Sequence, residues 1–88
     1  MKAKVIQINK NDNVAVALQP LFKGSSYQIT EQQAPITLLN DVPFTHKVAI
    51  RAIVSGENII KYGSPIGSAI TDIQAGEHVH IHNIRSNY

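Results

Sequence analysis

The sequence predicts an all-β domain built from many short strands. Short apolar runs rich in valine and isoleucine recur along the chain, and Gly, Pro, Asn and Asp residues separate them at short intervals. This pattern is typical of strands joined by tight turns and not of amphipathic helices. With 88 residues the chain has room for one domain with a thin core. We therefore expect residues 1–88 to form a single domain.

The candidate strands are the apolar runs, and the turns are the Gly-, Pro-, Asn- and Asp-rich stretches between them. In chain order the predicted strands are Lys4–Ile8, Val14–Leu18, Tyr27–Thr30, Ile36–Leu39, Lys47–Ile53, Asn58–Tyr62, Ser68–Ile73 and His78–Ile84. The predicted turns are Asn9–Asn13, Phe22–Ser26, Asn40–Pro43, Val54–Gly56, Gly63–Gly67 and Gln74–Gly76. Only Val14–Phe22 has enough alanine and leucine to compete as a short helix, which Pro20 would end.

An internal repeat of about twenty residues lies in the second half of the chain. Ile53–Ile60 and Ile73–His80 share their Ile, Gly and Glu positions. Each copy is predicted to form a strand, a tight turn and a second strand, because glycine adopts positive φ without a Cβ clash. Two ordinary hairpins account for the repeat.

Composition and charge exclude several classes of protein. The formal net charge of +2 arises without any basic run, which argues against a nucleic-acid-binding protein. The chain has no cysteine, so a disulfide framework and a thiolate metal site are excluded. Its N-terminus lacks the apolar stretch of a secretory signal, and no membrane span is predicted. We expect a cytoplasmic protein.

The densest polar feature is the segment His78–Asn83, in which three histidines alternate with Val79 and Ile81. On a strand this alternation places His78, His80 and His82 on one face. Residues two apart on a strand are separated by about 6.6 Å, so two of the imidazoles could share a metal ion, and a third ligand would need a bend or another segment. The spacing leaves three interpretations open: metal binding, substrate or proton handling, and a solvated or interface face.

Two further polar pairs occur, of which the second would be unremarkable alone. Lys61 and Tyr62 precede a turn with two glycines and a proline, and they could hold a carboxylate. The alternative is a hairpin loop in which Lys61 is simply solvated. His46 and Lys47 stand together at the start of a predicted strand.

The sequence lacks most of the groups that catalysis needs. Acid–base and electrophilic catalysis require a positioned base, an acid, and a group or metal ion that stabilises developing negative charge. The six acidic residues are scattered, and no Gly-X-Ser-X-Gly motif or phosphate-binding glycine loop occurs. Alone, the chain does not have the pattern of an enzyme.

Several motifs taken together resemble the N-terminal SAF domain of the altronate dehydratase family of sugar-acid dehydratases. The motifs are Asp12–Leu18, His46–Ala49, Ile59–Gly63, Ile66–Gly67 and Gly76–Asn83. The resemblance runs from about Ile8 to Asn87. The galactarate dehydratases and the small subunit of sulfolactate sulfo-lyase are similar in this module.

The resemblance implies a β-clip fold attached to a larger catalytic domain or subunit. It further implies dehydration of altronate to 2-keto-3-deoxygluconate in hexuronate breakdown, with a divalent metal such as Fe²⁺ or Mn²⁺. Carried over to this sequence, it makes His78, His80 and His82 candidate metal ligands. It also raises Lys61, Tyr62, His46, Lys47 and Asn83 as candidate substrate-binding residues.

Three hypotheses for the role of the chain follow. It could be an accessory subunit or domain that contributes imidazoles or the Lys61 ammonium to a partner's active site. It could instead be an assembly module, including one that forms a homo-oligomer, or an independent domain that binds a metal or a sugar acid. Because the chain stops at Tyr88, soon after the histidines, we expect either a separate small subunit or a fragment of a fused enzyme.

Overall fold

The computed structural model describes residues 4–29 and 33–86. The regular elements of these residues are short strands. They are β1 Val5–Ile6, β2 Val14–Ala17, β3 Ser26–Tyr27, β4 Ile36–Thr37, β5 Lys47–Ala49, β6 Asn58–Lys61, β7 Ser64–Ala69, β8 His78–Val79 and β9 Ile84–Ser86. The all-β prediction is confirmed. The described residues contain no helix that could span a membrane.

The strands form three small antiparallel sheets. The first has four strands in the order β1-β2-β5-β8, the second pairs β3 with β4, and the third has the order β6-β7-β9. Strand β5 therefore lies between β2 and β8, which are distant in sequence. This arrangement brings the residues around 46–48 next to those around 78–80.

Two groups of buried apolar side chains stabilise the sheets. One lies under β1, β2 and β4, with Leu21 and Val42 almost fully buried. The other lies between the β5–β8 region and the β6-β7-β9 sheet, and it includes Ile53, Ile59 and Ile73. Apolar area removed from water is the main favourable term for a domain of this size.

Several predicted elements differ from the structure in their boundaries or type. Strand β7 begins at Ser64, inside the segment Gly63–Gly67 that was predicted to be a turn. Pro65 is tolerated there because β9 pairs with β7 only at residues 67–69, so the missing N–H removes no bond on that side. The competing helix over Val14–Phe22 is also wrong, since β2 occupies its first half.

The predicted strand His78–Ile84 is also wrong in its extent. Strand β8 ends at Val79, residues 80–83 form a turn, and β9 begins at Ile84. The backbone N–H of Asn83 donates to the carbonyl of His80 over 3.1 Å and closes this turn. An asparagine favours such turns because its side chain bonds to nearby backbone groups.

Four turns of the same form organise the fold, at residues 21–25, 42–46, 53–57 and 73–77. The first residue of each forms an isolated antiparallel bridge, with Leu21 opposite Val42 and Ile53 opposite Ile73. The fourth residue has positive φ, and these residues are Gly24, Thr45, Gly56 and Gly76. The sequence repeat covers the last two turns.

Hydrogen bonds show that the two bridged pairs of turns are copies of one unit. The N–H of Lys23 donates to Asp41 over 2.8 Å, and the N–H of Ser55 donates to Asp72 over the same distance. The N–H of Gly24 donates to the carbonyl of Leu38 over 2.9 Å, and the N–H of Gly56 donates to the carbonyl of Ala69 over 2.8 Å. Both acceptors lie outside the turns. Residues 17–46 therefore correspond to residues 49–77.

Candidate functional site

Imidazoles from two distant parts of the chain meet on one face. His46 ends the turn at residues 42–46, and His78 begins β8, which pairs with β5 next to His46. A hydrogen bond of 2.9 Å joins Nδ1 of His46 and Nε2 of His78. One ring nitrogen from each of His46, His78 and His80 lies within 4.8 Å of the others. We call these three residues the histidine triad.

The rings of the triad are stacked. The centroids of His46 and His80 lie 4.1 Å apart with planes 17° from parallel, and His46 and His78 are 5.1 Å apart at 19°. His82 lies beside His78 at 5.2 Å, with its ring tilted by 36°. The interpretation of His78, His80 and His82 as one straight row is therefore corrected, because His46 takes the third place and the chain bends after β8.

Asn83 holds the bend that positions His80. Its side chain is 2% exposed. The amide oxygen accepts the N–H of His80 over 3.0 Å, and the amide nitrogen donates to the carbonyl of His78 over 2.8 Å. A weaker contact of 3.4 Å reaches the Glu77 carboxylate. These bonds give Asn83 a positioning role, and its predicted contact with substrate stays a prediction.

Pro43 explains why a histidine can occupy position 46. In the turns at 53–57 and 73–77 the fifth residue is a glutamate, and its Oε1 accepts the N–H of the second residue, Val54 or Gln74. Pro43 occupies the second position of its turn and has no N–H to satisfy. The fifth side chain of that turn is thus available for another purpose, and it is an imidazole.

Burial and neighbouring charges lower the pKa values of two of the three imidazoles, those of His78 and His80. Partial burial, with the charges of His46, His82, His80 and Lys47, lowers the pKa of His78 from 6.5 to about 4. Desolvation and the same kind of neighbours also lower the pKa of His80. Neutral imidazole is the form that accepts hydrogen bonds and ligates metal ions.

The depressed pKa of His78 predicts the pH dependence of stability in chelator-treated protein. The unfolded chain takes up a proton near pH 6.5, whereas folded His78 does so only near pH 4. The His78 contribution is therefore complete above pH 6.5 and is lost as the pH falls toward 4. Urea unfolding across this range should show a shallower decline for His78→Gln, and parallel curves would contradict the assignment.

Lys47 places positive charge near His78 and His80. Lys47 is half-buried, and its pKa is lowered first by desolvation and then by the charge of Lys61. Lys47 in turn acts on the pKa values of His78 and His80. It thus connects the triad electrostatically with Lys61, whose Nζ lies 4.9 Å from the centre of the Tyr62 ring. The structure places these candidate residues in one electrostatic neighbourhood.

The turn carrying Tyr62 is fixed by a buried carboxylate that sequence reasoning did not single out as a site residue. Asp12 is 4% exposed. Its oxygens accept the N–H groups of Tyr62 at 3.1 Å and Gly63 at 2.7 Å, and also that of Asn9 at 3.0 Å. Tyr62 and Gly63 both have positive φ, as a type I′ hairpin turn requires. In the sequence Asp12 stands in the polar segment Asn9–Asn13, directly before the apolar strand that begins at Val14.

The donor set of the triad fits a divalent transition metal. Three imidazole nitrogens are close enough to converge on one ion, and the rings are only partly buried, so further ligands have access. Imidazole suits iron, zinc, copper and nickel, whereas manganese favours oxygen ligands. Of the two metals that the sequence resemblance implied, iron therefore matches the triad better.

Comparison with known proteins identifies the module. A model described as the altronate/galactarate dehydratase SAF domain matches residues 3–87. The altronate dehydratase of Escherichia coli (strain K12) is 50% identical over 82 residues, and that of Bacillus subtilis (strain 168) is 40% identical over 82 residues. Each match covers 93% of this chain and 16% of the relative. The chain thus spans a small part of those proteins.

A shorter relative matches as well. The (2R)-sulfolactate sulfo-lyase subunit alpha of Paracoccus pantotrophus is 41% identical over 51 residues, which is 58% of this chain and 76% of that subunit. The module therefore occurs both as a small part of a long protein and as most of a short subunit.

Proposed function

This chain belongs to the SAF domain family of altronate and galactarate dehydratases, and from that premise we propose that it is the SAF domain or small subunit of an altronate dehydratase. The assembled enzyme would convert D-altronate to 2-keto-3-deoxygluconate in the cytoplasm. The alternative is a galactarate dehydratase or a sulfolactate sulfo-lyase. The description of the matching family includes the first, and one of the similar proteins is a subunit of the second.

One observation supports a role for the chain at the reaction site. The histidine triad brings together residues separated by more than thirty positions, and its three imidazoles are all partly exposed. The core does not require three stacked polar rings at its surface. A binding role explains their convergence.

We propose that His46, His78 and His80 would hold a divalent metal ion, with iron favoured by the donor set. When bound, such an ion supplies positive charge that stabilises anionic oxygen atoms of a substrate. The two nitrogens that now share the His46–His78 hydrogen bond would then serve as ligands. The positions of His82 and Asn83 beside the triad suit a supporting role.

Lys47 and Lys61 are proposed to attract the substrate. A sugar acid carries a carboxylate, and two neighbouring ammonium groups favour an anion over a neutral sugar. Tyr62 is 61% exposed beside Lys61, and its hydroxyl is available to a substrate hydroxyl or carboxylate. The larger catalytic region would supply the general base and acid.

Substitution of the triad in the complete dehydratase tests this proposal. We expect His46→Ala and His80→Ala each to lower turnover and bound metal by about tenfold, in the range seen when groups that hold or orient a metal are removed. His82→Ala is the matched control, since it removes an imidazole outside the triad and should change both quantities much less.

Turnover by titrated active sites and metal content by mass spectrometry are the two readouts. Wild-type values for both His46→Ala and His80→Ala would remove the triad from the site. Lower turnover with unchanged metal content would leave substrate or proton handling in place of metal binding. Lack of activity toward altronate with activity toward galactarate or sulfolactate would select the alternative enzyme.

A further inference from the structure

Two phenylalanine rings are exposed on the first bridged pair of turns, one on each turn. Phe22 is 60% exposed and Phe44 is 57% exposed. The backbone bridge between Leu21 and Val42, with two bonds of 2.8 Å, holds their turns together. We call Phe22, Pro43 and Phe44 the phenylalanine patch.

The fold itself does not require aromatic rings at these positions. The second bridged pair has the same backbone and hydrogen bonds, and there Val54 corresponds to Phe22 and Ala75 corresponds to Phe44. Exposed phenylalanine costs solubility and contributes little to the core of the domain that carries it. The internal copy thus shows that the large rings serve something other than folding.

The patch adjoins the histidine triad. Phe44 is two residues from His46, and both belong to the turn at residues 42–46. A protein surface that covers the patch would therefore extend to the imidazoles. Aromatic side chains are enriched in the centres of protein interfaces, where they fill pockets of the partner.

We propose that the phenylalanine patch is the docking surface for the larger catalytic region of the dehydratase, an inference that rests on the proposed function. The larger catalytic region would have an apolar recess that receives the two phenyl rings, and its substrate site would face the triad. This occupant is favoured over a second copy because this chain covers only 16% of the altronate dehydratases, leaving most of those proteins to be placed against it.

Lys23 provides a built-in reporter of docking. It is exposed between Phe22 and Gly24, so trypsin can cut after it when the patch is free. In the wild-type assembly we expect cleavage after Lys23 to be slow, and in the 88-residue chain alone to be fast. The double variant Phe22→Ser/Phe44→Ser should restore cleavage in the assembly by roughly 30-fold, the effect of losing one strong interface contact.

Val54→Ser is the matched control, because Val54 is the equally exposed counterpart of Phe22 in the other turn pair and its substitution should leave the rate at Lys23 unchanged. Urea unfolding of each variant reports whether it stays folded. The wild-type comparison of chain and assembly needs no substitution, so it decides the matter even if the double variant unfolds.

Equal rates at Lys23 in the wild-type assembly and the chain alone would overturn the proposal. Protection of Lys23 in the chain alone that grows with its concentration would also overturn it and assign the patch to a second copy. Neither readout uses turnover. A failed docking surface and a failed dehydratase assignment would therefore be separate results.

Discussion

Replacing Gly76 by alanine is expected to destabilise the fold by about 3–5 kcal/mol, combining a strained backbone with a steric clash. The φ angle of Gly76 is +90°, which side chains with a Cβ rarely adopt. A Cβ at this position would also overlap the backbone carbonyl oxygen of Thr37 on β4. Because Gly76 bonds to Ala49 through its N–H and to Leu39 through its carbonyl, the clash cannot be relieved by a local shift.

Gly56→Ala is the control for this prediction. Gly56 occupies the corresponding position of the bridged turn at 53–57 and has nearly the same φ of +88°, but a Cβ there would meet nothing within 4 Å. It should cost only the backbone term, about 1–2 kcal/mol. Urea unfolding of both variants measures the difference. Equal losses would show that the contact between β4 and the turn at 73–77 is loose.

Replacing Asp12 by alanine is expected to cost about 3–4 kcal/mol, because it leaves three N–H groups without their acceptor. Bonds to a buried charged group are worth more than neutral ones, although the three losses do not add fully. The substitution also releases the Tyr62–Gly63 turn. We therefore expect weaker substrate binding in the assembled enzyme in addition to lower stability.

Asp41→Ala is the matched control for Asp12. Asp41 is exposed and accepts one backbone N–H, that of Lys23, so its loss should cost about 1 kcal/mol or less. Denaturant midpoints of the two variants, with KM for the complete enzyme, are the measurements. If Asp12→Ala were no worse than Asp41→Ala, the three bonds would not be what holds the turn.

The fold class could be predicted because it depends on local pattern. Apolar runs and turn residues located most of the strands to within a few residues, as at β2 and β6. The start of β7 was missed because Pro65 and the two glycines around it indicate a turn locally. A proline is tolerated at position 65 because β9 pairs only with residues 67–69 of β7. The local sequence does not show which residues of β7 are paired in this way.

The candidate site was predictable only in part. His78 and His80 were found from their density, and the resemblance raised His46 as a candidate. That His46 stacks on His80 follows from the pairing of β5 with β8, a contact between segments thirty residues apart. The alternation of His78 to His82 suggested a straight strand, but Asn83 bonds back to His80 and turns the chain. A side chain-to-backbone bond therefore overrode the period-two pattern.

The proline at position 43 has a consequence for how this scaffold can change its chemistry. In the turns at 53–57 and 73–77 the second residue has an N–H, and the fifth residue, Glu57 or Glu77, accepts it. The imino acid at position 43 lacks that N–H and leaves the backbone of its turn intact. Glu57 and Glu77 therefore stabilise the backbone of their turns, whereas the fifth residue of the turn at 42–46 has no such bond to make. That position can vary in sequence without loss of the turn.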